Sequence, residues 1–245
     1  MGVDFSRIAD RYDESRGGAE RGERFAAELR PLLPADRLLE VGVGTGVVAT
    51  ALGGSVIGVD IAPGMLAVAR RRLGARVVRN DGRRLPFQGG CFKGGYAVWV
   101  LHLVEDQAGL FSEIRRVLAP GGRFVVANVN RPEPDELDAI LKPMYVELLG
   151  DRDGRDLPER LAPLAVAAGL QVKEVAPGEP YHAEVLGPDE AERMERRESA
   201  IFWDLDEGRW QEVVVPVLSR LRALGDRPIA RVYHHQLLVL ERKAG

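Results

Sequence analysis

Apolar residues in the first half of the chain follow two alternating patterns. Short runs of valine, leucine and isoleucine are typical of buried strands, whereas apolar residues three or four positions apart are typical of amphipathic helices. Strands that alternate with helices form a parallel sheet. The pattern predicts five strands, at residues 38–41, 55–60, 76–79, 95–101 and 123–129. It predicts helices at residues 19–33, 46–52 and 110–118, and another that begins near Pro63.

The second half of the chain is richer in predicted helices. These lie at residues 134–149, 157–168, 189–200 and 209–224, with further strands at 171–175 and 230–240. We therefore expect a core of seven strands, with two helices inserted before the last one. The predicted boundaries are an N-terminal helical cap at 1–34, a core at 35–176, a helical lid at 177–226 and a final core strand at 227–245.

Composition favours a cytoplasmic protein without a metal site or a membrane span. The chain has 245 residues, 45% of them hydrophobic, which is enough for one α/β domain. A single cysteine, Cys91, excludes an internal disulfide and a thiolate zinc site. No stretch approaches the roughly 18 apolar residues of a membrane span, and the first residues lack the apolar run of a secretory signal. The formal net charge of −3 argues against a broad basic surface for nucleic acid.

The strongest chemical signal is the segment LLEVGVGTG, in which a predicted strand runs into three alternating glycines, Gly42, Gly44 and Gly46. Glycines allow a sharp turn and let a ligand approach the backbone closely. The helix that follows offers free N–H groups to the polar end of a ligand. Because residues 44–49 also fit the G-x-G-x-x-A pattern of dinucleotide sites, the turn alone does not distinguish between cofactors.

Three acidic residues near the predicted strand ends narrow the choice of cofactor. Asp60 ends the second strand, where a carboxylate can accept both ribose hydroxyls of a nucleoside. Asp81 follows the third strand, and Glu40 lies in the first strand just before the glycines. Glu40 would repel a pyrophosphate but attract an ammonium or a sulfonium. The set favours a cationic amino-acid ligand over a dinucleotide.

The segments EVGVGTG, DIAPGML, NDGRRLPF, WVLHLVED and LAPGGR together resemble the class I S-adenosylmethionine-dependent methyltransferases, in the ubiquinone/menaquinone-biosynthesis-like (methyltransferase type 11) group. The resemblance covers about residues 5–129, with the motifs in the right order and spacing. It implies a Rossmann-like, mostly parallel seven-stranded sheet whose last strand is antiparallel, with helices on both faces. It also implies methyl transfer from S-adenosylmethionine (SAM), with S-adenosylhomocysteine as the product.

At the methionine end of SAM, the resemblance implies contacts from the three glycines. It also implies that Glu40 lies near the ammonium, that the carbonyl of Val98 meets the methionine end, and that Tyr12 closes over the cofactor. At the adenosine end, Asp60 would take the ribose hydroxyls. The remaining adenosine contacts that the resemblance implies are Ile61 and Met65 beside the adenine, and Asp81 with the Gly82 backbone at its amino group.

One motif departs from the family pattern. Relatives usually have Phe-Asp before the fourth strand, whereas this chain has Phe92-Lys93 followed by two glycines. That acid is mostly structural in the family, so we expect altered strand packing with the activity retained.

The sequence indicates the residues that would bind the methyl acceptor less clearly than those that would bind the cofactor. His102 lies near the end of the fourth strand, where it could act as a general base, although a histidine bonded to nearby backbone is the competing interpretation. Trp99 and Trp203 could line the acceptor pocket or simply pack in the interior. The lid at 177–226 holds twelve acidic and six basic residues. Such a lid would repel nucleic acid, so we expect a small-molecule acceptor.

Two alternatives remain open at this point. A nucleotide-cofactor oxidoreductase of the NAD type would need phosphate-friendly surroundings, which Glu40 and Asp81 oppose. A non-catalytic SAM-binding module would carry the same cofactor motifs, so only its behaviour towards an acceptor would separate it from an enzyme.

Overall fold

The computed structural model describes residues 5–244. The outermost residues of the predicted cap and final segment, 1–4 and 245, lie outside the described residues. The strands are β1 (Leu38–Val41), β2 (Val56–Asp60), β3 (Val77–Arg79), β4 (Phe92–Val98), β5 (Leu118–Ala127), β6 (Arg131–Pro132), β7 (Leu170–Pro177), β8 (Tyr181–Val185), β9 (Ile229–His234) and β10 (Gln236–Arg242). The α-helices are α1 (Tyr12–Ser15), α2 (Gly18–Leu29), α3 (Val47–Leu52), α4 (Pro63–Leu73), α5 (Gln107–Val117), α6 (Glu136–Leu149), α7 (Pro158–Ala167), α8 (Gly187–Glu195), α9 (Glu207–Arg209) and α10 (Val215–Arg222).

Seven strands form one sheet in the order β3-β2-β1-β4-β5-β10-β7. The first five strands along the chain are parallel to one another, and β10 is antiparallel to both of its neighbours, β5 and β7. The predicted fold class is therefore confirmed. The order reverses between β1 and β4, which is where open α/β sheets bind their ligands at the carboxyl ends of the strands.

Alternation along the strands divides the core into two apolar layers. Leu39 points into a layer with residues of α5 and α7, including Phe111 and Leu161. Its neighbour Leu38 points the other way, into a layer with α2, α3 and α4 that includes Phe25. Successive side chains of a strand face opposite sides of a sheet, so helices cover both faces.

The glycine pair before the end of β4 permits unusually close packing. A Cβ on Gly95 would lie 2.7 Å from the carbonyl oxygen of Leu39 and 3.0 Å from the ring of Phe124. A Cβ on Gly94 would lie 2.8 Å from Pro34. Lys93, at the position of the usual acid, instead pairs with Asp36 at 2.9 Å. The two glycines thus allow close packing around β4, and Lys93 is held in an ion pair.

The chain divides into two compact units. The first contains the seven-stranded sheet and comprises the described residues up to Val129, Arg155–Gly178, and those from Gln236 onward. The second comprises Asn130–Gly154 and Glu179–His235. It has its own apolar core, in which α6 packs with α8 and α10, and its own antiparallel sheet, β6-β9-β8. The sequence pattern predicts the helices of this unit but not its sheet.

Two predicted elements differ from the structure. The strand predicted at 230–240 is two strands in different sheets, β9 and β10, with His235 between them. Alternation of apolar residues indicates which side chains are buried, but it does not indicate which strands pair with each other. The sequence therefore gives no sign of the break at His235. The helix predicted at 209–224 contains a π-helical turn, Trp210–Val214, just before Pro216. Proline has no N–H to continue the ladder, which explains the irregular turn. No helix within residues 5–244 is long and apolar enough to cross a membrane.

Candidate active site

The glycine turn after β1 has room for a ligand at its centre. Gly42, Gly44 and Gly46 all have positive φ angles, of 73°, 53° and 80°, which glycine adopts without strain. A Cβ on Gly42 would collide with Val100, and one on Gly46 would lie 3.0 Å from Leu73. A Cβ on Gly44 would meet no atom within 4 Å. The outer glycines therefore permit close protein packing, and the middle one faces open space.

Asp60 is tied to this turn by its carboxylate. Its Oδ2 accepts a hydrogen bond from the backbone N–H of Gly44 at 2.8 Å, and its Oδ1 accepts one from Ala62 at 2.9 Å. Asp60 therefore supports the turn and places a carboxylate, a hydrogen-bond acceptor, at the edge of the turn.

Glu40 is an acid enclosed by protein. Its side chain is 2% exposed, and Oε2 accepts a hydrogen bond from the hydroxyl of Tyr96 at 3.0 Å. Burial raises the pKa of Glu40 to about 8, while Tyr96 and the charge of Arg21 oppose the rise. Glu40 is therefore mostly neutral at pH 7, and a nearby cation would favour its ionised form.

The N-terminal segment is pinned to the glycine turn by Asp13, a residue that the sequence analysis missed. Asp13 Oδ1 accepts a hydrogen bond from the hydroxyl of Thr45 at 2.6 Å, and Oδ2 pairs with Arg72 at 2.7 Å. Arg72 also donates to the carbonyl oxygen of Thr45 at 2.7 Å. Because Thr45 stands between Gly44 and Gly46, this network ties the segment that carries Tyr12 to the turn.

The N-terminal segment also covers the start of α4. Met65 packs in a small apolar cluster with Ala9, and Phe5 and Tyr12 lie against the same cluster. The hydroxyl of Ser6 accepts a hydrogen bond from the N–H of Gly64 at 2.8 Å. Ile61 is half-buried and directly follows β2 in the sequence. Of the two residues predicted beside adenine, Met65 belongs to this apolar cluster, and Ile61 directly precedes its member Ala62.

The loop after β3 holds the third predicted acid at the surface. Asp81 is exposed and pairs with Arg83, whose Nε lies 2.8 Å from its Oδ2. The hydrogen bonds from Arg83 lower the pKa of Asp81. Gly82 is buried with φ of 80°, and its N–H donates to Asn80 at 2.8 Å. Asp81 is therefore ionised and positioned by its partner.

The segment after β4 carries the acceptor-side candidates. Val98 ends the strand, and Trp99 follows with φ of 55°, a strained value for a residue other than glycine. The ring of Trp99 packs edge-on against Phe25 at 5.5 Å. His102 lies one short turn later, with Nδ1 4.0 Å from Oδ2 of Asp156.

Asp156 and Gln107 are two further residues that the sequence analysis missed. Asp156 is 3% exposed and accepts a hydrogen bond from the N–H of Val129 at 2.7 Å. The buried amide of Gln107 donates to the carbonyl oxygens of Leu101 at 2.8 Å and of Arg155 at 3.1 Å. Gln107 therefore braces the two chain segments that carry His102 and Asp156.

Trp203 lies in the second unit. Its ring is half-buried, and its Nε1 donates to the carbonyl oxygen of Arg197 at 2.7 Å. The neighbouring aromatics, Phe202 and Trp210, are core residues whose rings pack edge-on at 5.7 Å. Trp203 is thus the aromatic of this group that stays outside the core cluster of its unit.

Comparison with known proteins identifies the family. A family model described as a methyltransferase domain matches residues 39–126. The demethylmenaquinone methyltransferase of Thermus thermophilus is 31% identical over 206 residues, which cover 74% of this chain and 94% of that protein. That of Symbiobacterium thermophilum is 35% identical over 146 residues, but the match spans only 52% of this chain and 58% of the relative. A solved structure of a SAM-dependent methyltransferase from Thermotoga maritima shares the fold, with a TM-score of 0.59 at 19% identity over 98% of each chain.

The chain belongs to the class I SAM-dependent methyltransferases. The predicted family, and SAM as the cofactor of this methyltransferase, are thereby confirmed. The residues at the turn fit that cofactor. Open space at Gly44 lies beside the carboxylate of Asp60, and the buried acid Glu40 suits a positively charged ligand.

Proposed function

We propose that this methyltransferase transfers the methyl group of SAM to a small, partly apolar acceptor in the cytoplasm. The observation that carries the proposal is the open space at Gly44 beside the carboxylate of Asp60, whose charge also acts on the buried Glu40. This arrangement suits a ligand that has hydroxyls at one end and positive charge at the other. Family membership disfavours the NAD-type oxidoreductase.

The cofactor residues take the roles that the family resemblance implies. Asp60 accepts the ribose hydroxyls, and the Asp81–Gly82 loop meets the adenine amino group. Ile61 and Met65 provide apolar contacts to adenine. At the other end, Glu40 faces the ammonium, and the three glycines, the carbonyl of Val98 and the ring of Tyr12 enclose the methionine moiety.

SAM, when bound, supplies a methyl group that is already activated as a sulfonium. The remaining work for the protein is to orient the acceptor, exclude water and take up a proton where the acceptor loses one. Trp99 offers an apolar wall. His102 is the proposed proton acceptor, and the carboxylate of Asp156 near its Nδ1 stabilises the protonated ring.

A small-molecule acceptor is supported by the charge of residues 177–226, with twelve acidic and six basic side chains. This excess of negative charge opposes binding of a nucleic-acid backbone. Two relatives are named for methylation of demethylmenaquinone, so demethylmenaquinone is a reasonable first acceptor to assay. Tight, salt-dependent binding of RNA or DNA would contradict the proposal.

The test measures ligand binding first and methyl transfer second. Ligands that bind only the folded state raise its stability, by about 2.7 kcal/mol at a hundredfold excess over the dissociation constant. We expect SAM and S-adenosylhomocysteine to raise the melting temperature and NAD to leave it unchanged. Labelled methyl groups from SAM should then appear on demethylmenaquinone or on a member of a small-metabolite extract. A shift with SAM but no transfer to any acceptor would favour the non-catalytic SAM-binding module.

A further inference from the structure

Strand β7 is a long edge strand of the seven-stranded sheet. It pairs with β10 on one side, and within residues 5–244 no strand pairs with it on the other. Residues 171–175 of β7 are all exposed. The opposite edge strand, β3, has only three residues, whereas β7 has eight. The outward N–H and C=O groups of an edge strand are available to pair with another chain, so β7 is the edge that can support such pairing.

The pairing of β7 with β10 contains a β-bulge at Lys173. Leu240 lies opposite Val172, whereas the preceding residue of β10, Val239, lies opposite Glu174. Lys173 is therefore an extra residue in β7. Because side chains alternate between the two faces of a strand, an extra residue changes which later positions share a face with the earlier ones.

The bulge brings two exposed valines to the same face of the sheet. Val172 lies opposite Leu240. Val175 lies opposite Leu238, and both leucines belong to the apolar layer of α5 and α7. Directly opposite residues share a face of a sheet, so both valines lie on the α7 side. Val166 on α7 is also exposed, and it lines one shallow depression together with Val172.

These three valines are an unusual concentration of exposed apolar side chains. They are three of the five large hydrophobic residues that are exposed within residues 5–244. Bulges, lysines and prolines on an edge strand often prevent pairing, and β7 contains one of each. Pro177, however, is the last residue of the strand, so its missing N–H affects only the end of a ladder. A cluster of exposed apolar residues on an edge indicates an interaction site more than a protected edge.

The sequence of β7 is complementary to itself when two copies run antiparallel. With a two-fold axis between Lys173 and Glu174, each lysine lies opposite the glutamate of the other copy. The same axis places Val172 of one copy opposite Val175 of the other. A two-fold axis perpendicular to the sheet keeps every side chain on its own face, so opposite positions must share a face. Val172 and Val175 meet this condition because of the bulge.

The neighbouring registers lack this complementarity. An axis through Lys173 places lysine opposite lysine, and an axis through Glu174 places glutamate opposite glutamate. Like charges directly opposite each other destabilise a pair of strands. In the register with the axis between these two residues, the next pair is Gln171 with Ala176. These two also share a face, because their partners in β10 are four residues apart.

We propose that two copies of this chain form a dimer by antiparallel pairing of β7 with β7, with the two-fold axis between Lys173 and Glu174. The pairing joins the two sheets into one and covers Val172 and Val175. Each copy contributes the same surface, so the contact closes on itself and does not extend into a filament. The inference goes beyond the proposed function, and its test uses no ligand.

The test measures the dissociation constant of the dimer by sedimentation equilibrium. One strand from each copy makes a small interface, so the wild type is examined from about 1 µM to about 500 µM. Lys173→Glu and Glu174→Lys each place like charges across the axis twice, and each should raise the dissociation constant at least about tenfold. The double variant Lys173→Glu/Glu174→Lys restores opposite charges and should return to within about threefold of the wild type. An equimolar mixture of the two single variants should form a heterodimer.

Val175→Lys tests the apolar contact and should also raise the dissociation constant at least about tenfold. Val146→Lys is the matched control, because Val146 is an equally exposed valine on α6 in the second unit. It should dimerise as the wild type does. Melting temperatures measured at about 1 µM should stay close to that of the wild type, since the Lys173–Glu241 ion pair is exposed and contributes little stability.

Two results would overturn the proposal. One is a wild type that remains monomeric throughout the concentration range. The other is a dimer whose dissociation constant is unchanged by Val175→Lys and by both single charge variants, because the interface would then lie elsewhere. Restored affinity in the double variant and in the mixture supports the register, since general damage to the fold would not be reversed by a second substitution. Neither result bears on methyl transfer, which is assayed separately.

Discussion

Glu40 lies on the first strand of the sheet, shielded from water and hydrogen-bonded to Tyr96. Burial raises its pKa from an ordinary 4.5 to about 8. Between these two values the folded chain keeps a proton that the unfolded chain has released. Raising the pH therefore favours the unfolded chain, and the stabilising contribution of neutral Glu40 is lost as the pH approaches 8.

Glu40→Gln should remove this pH dependence, because glutamine mimics the protonated acid at every pH. The free energy of unfolding, measured by urea denaturation without ligand from about pH 5 to about pH 8, should fall more steeply in the wild type than in the variant. Glu113→Gln is a control of opposite sign, since Arg116 lowers the pKa of Glu113 and its contribution is lost at acidic pH. Parallel curves for the wild type and Glu40→Gln would mean that Glu40 is already ionised.

Asp60 and Asp81 should differ sharply in their effect on SAM affinity. Asp60→Ala removes a charged acceptor for two hydroxyls, and such bonds are worth about 1.5–3 kcal/mol each. It also leaves the N–H groups of Gly44 and Ala62 without their acceptor. Asp81 is exposed and already shared with Arg83, so Asp81→Ala should weaken binding by less than about tenfold. Calorimetry that gives equal affinities for the wild type and Asp60→Ala would show that the ribose lies elsewhere.

Residues of the candidate site could be placed from the sequence where they stand at a fixed offset from a strand end. Glu40, Asp60 and the glycines belong to this class, because the strand that places them is itself visible in the apolar pattern. Asp13 was not predictable. It comes from a polar position of an N-terminal helix, and only the folded chain brings it to the glycine turn.

At the scale of elements, the proposed acceptor-side pair comes from the short 3₁₀ turn Leu101–Leu103, which carries His102, and from the segment just before α7, which carries Asp156. Gln107 joins the two segments through their backbone carbonyls, one residue away from His102 and from Asp156. The hydrogen bonds of Gln107 and the pairing of His102 with Asp156 should have separable effects. The carboxylate of Asp156 acts on the charge of His102, whereas Gln107 fixes only the distance between the two segments.

Asp156→Asn should therefore shift the pH profile of turnover, and Gln107→Met should not. Without the negative charge beside it, protonated His102 is less stable, so the acidic fall in turnover should move to lower pH. Gln107→Met leaves two carbonyl oxygens unpaired and should lower the turnover number at every pH. His102→Gln supplies the reference profile for loss of the base, and SAM affinity should stay near wild type in all three. A profile unchanged by Asp156→Asn would leave Asp156 with a purely structural role.

Element boundaries were predicted best where glycine or proline marks a helix end. The helix that begins at Pro63 and the end of α6 at Gly150 are examples. The break between β9 and β10 had no such mark, because apolar residues alternate on both sides of His235. Pairing partners depend on contacts between distant segments, and a local pattern does not contain them.

At the scale of the whole molecule, the second unit has a complete core of its own. Fourteen buried apolar residues form it, and they come from both Asn130–Gly154 and Glu179–His235. The predicted lid at 177–226 contains most helices of this unit but omits α6 and β9. The sequence pattern gives no sign that residues so far apart in the chain pack together. We propose that this unit, and Trp203 within it, determines the choice of acceptor.

Trp203→Ala and Trp210→Ala separate that role from support of the fold. Trp210 is buried against Phe202 and lies under the guanidinium of Arg197 at 4.3 Å, so Trp210→Ala should destabilise the protein by about 3–5 kcal/mol. Trp203 is half-buried outside the core cluster, so its removal should cost much less stability. If Trp203 serves the acceptor, Trp203→Ala lowers turnover while calorimetric SAM affinity stays near wild type. Loss of SAM binding with normal acceptor kinetics would show instead that this segment serves the cofactor.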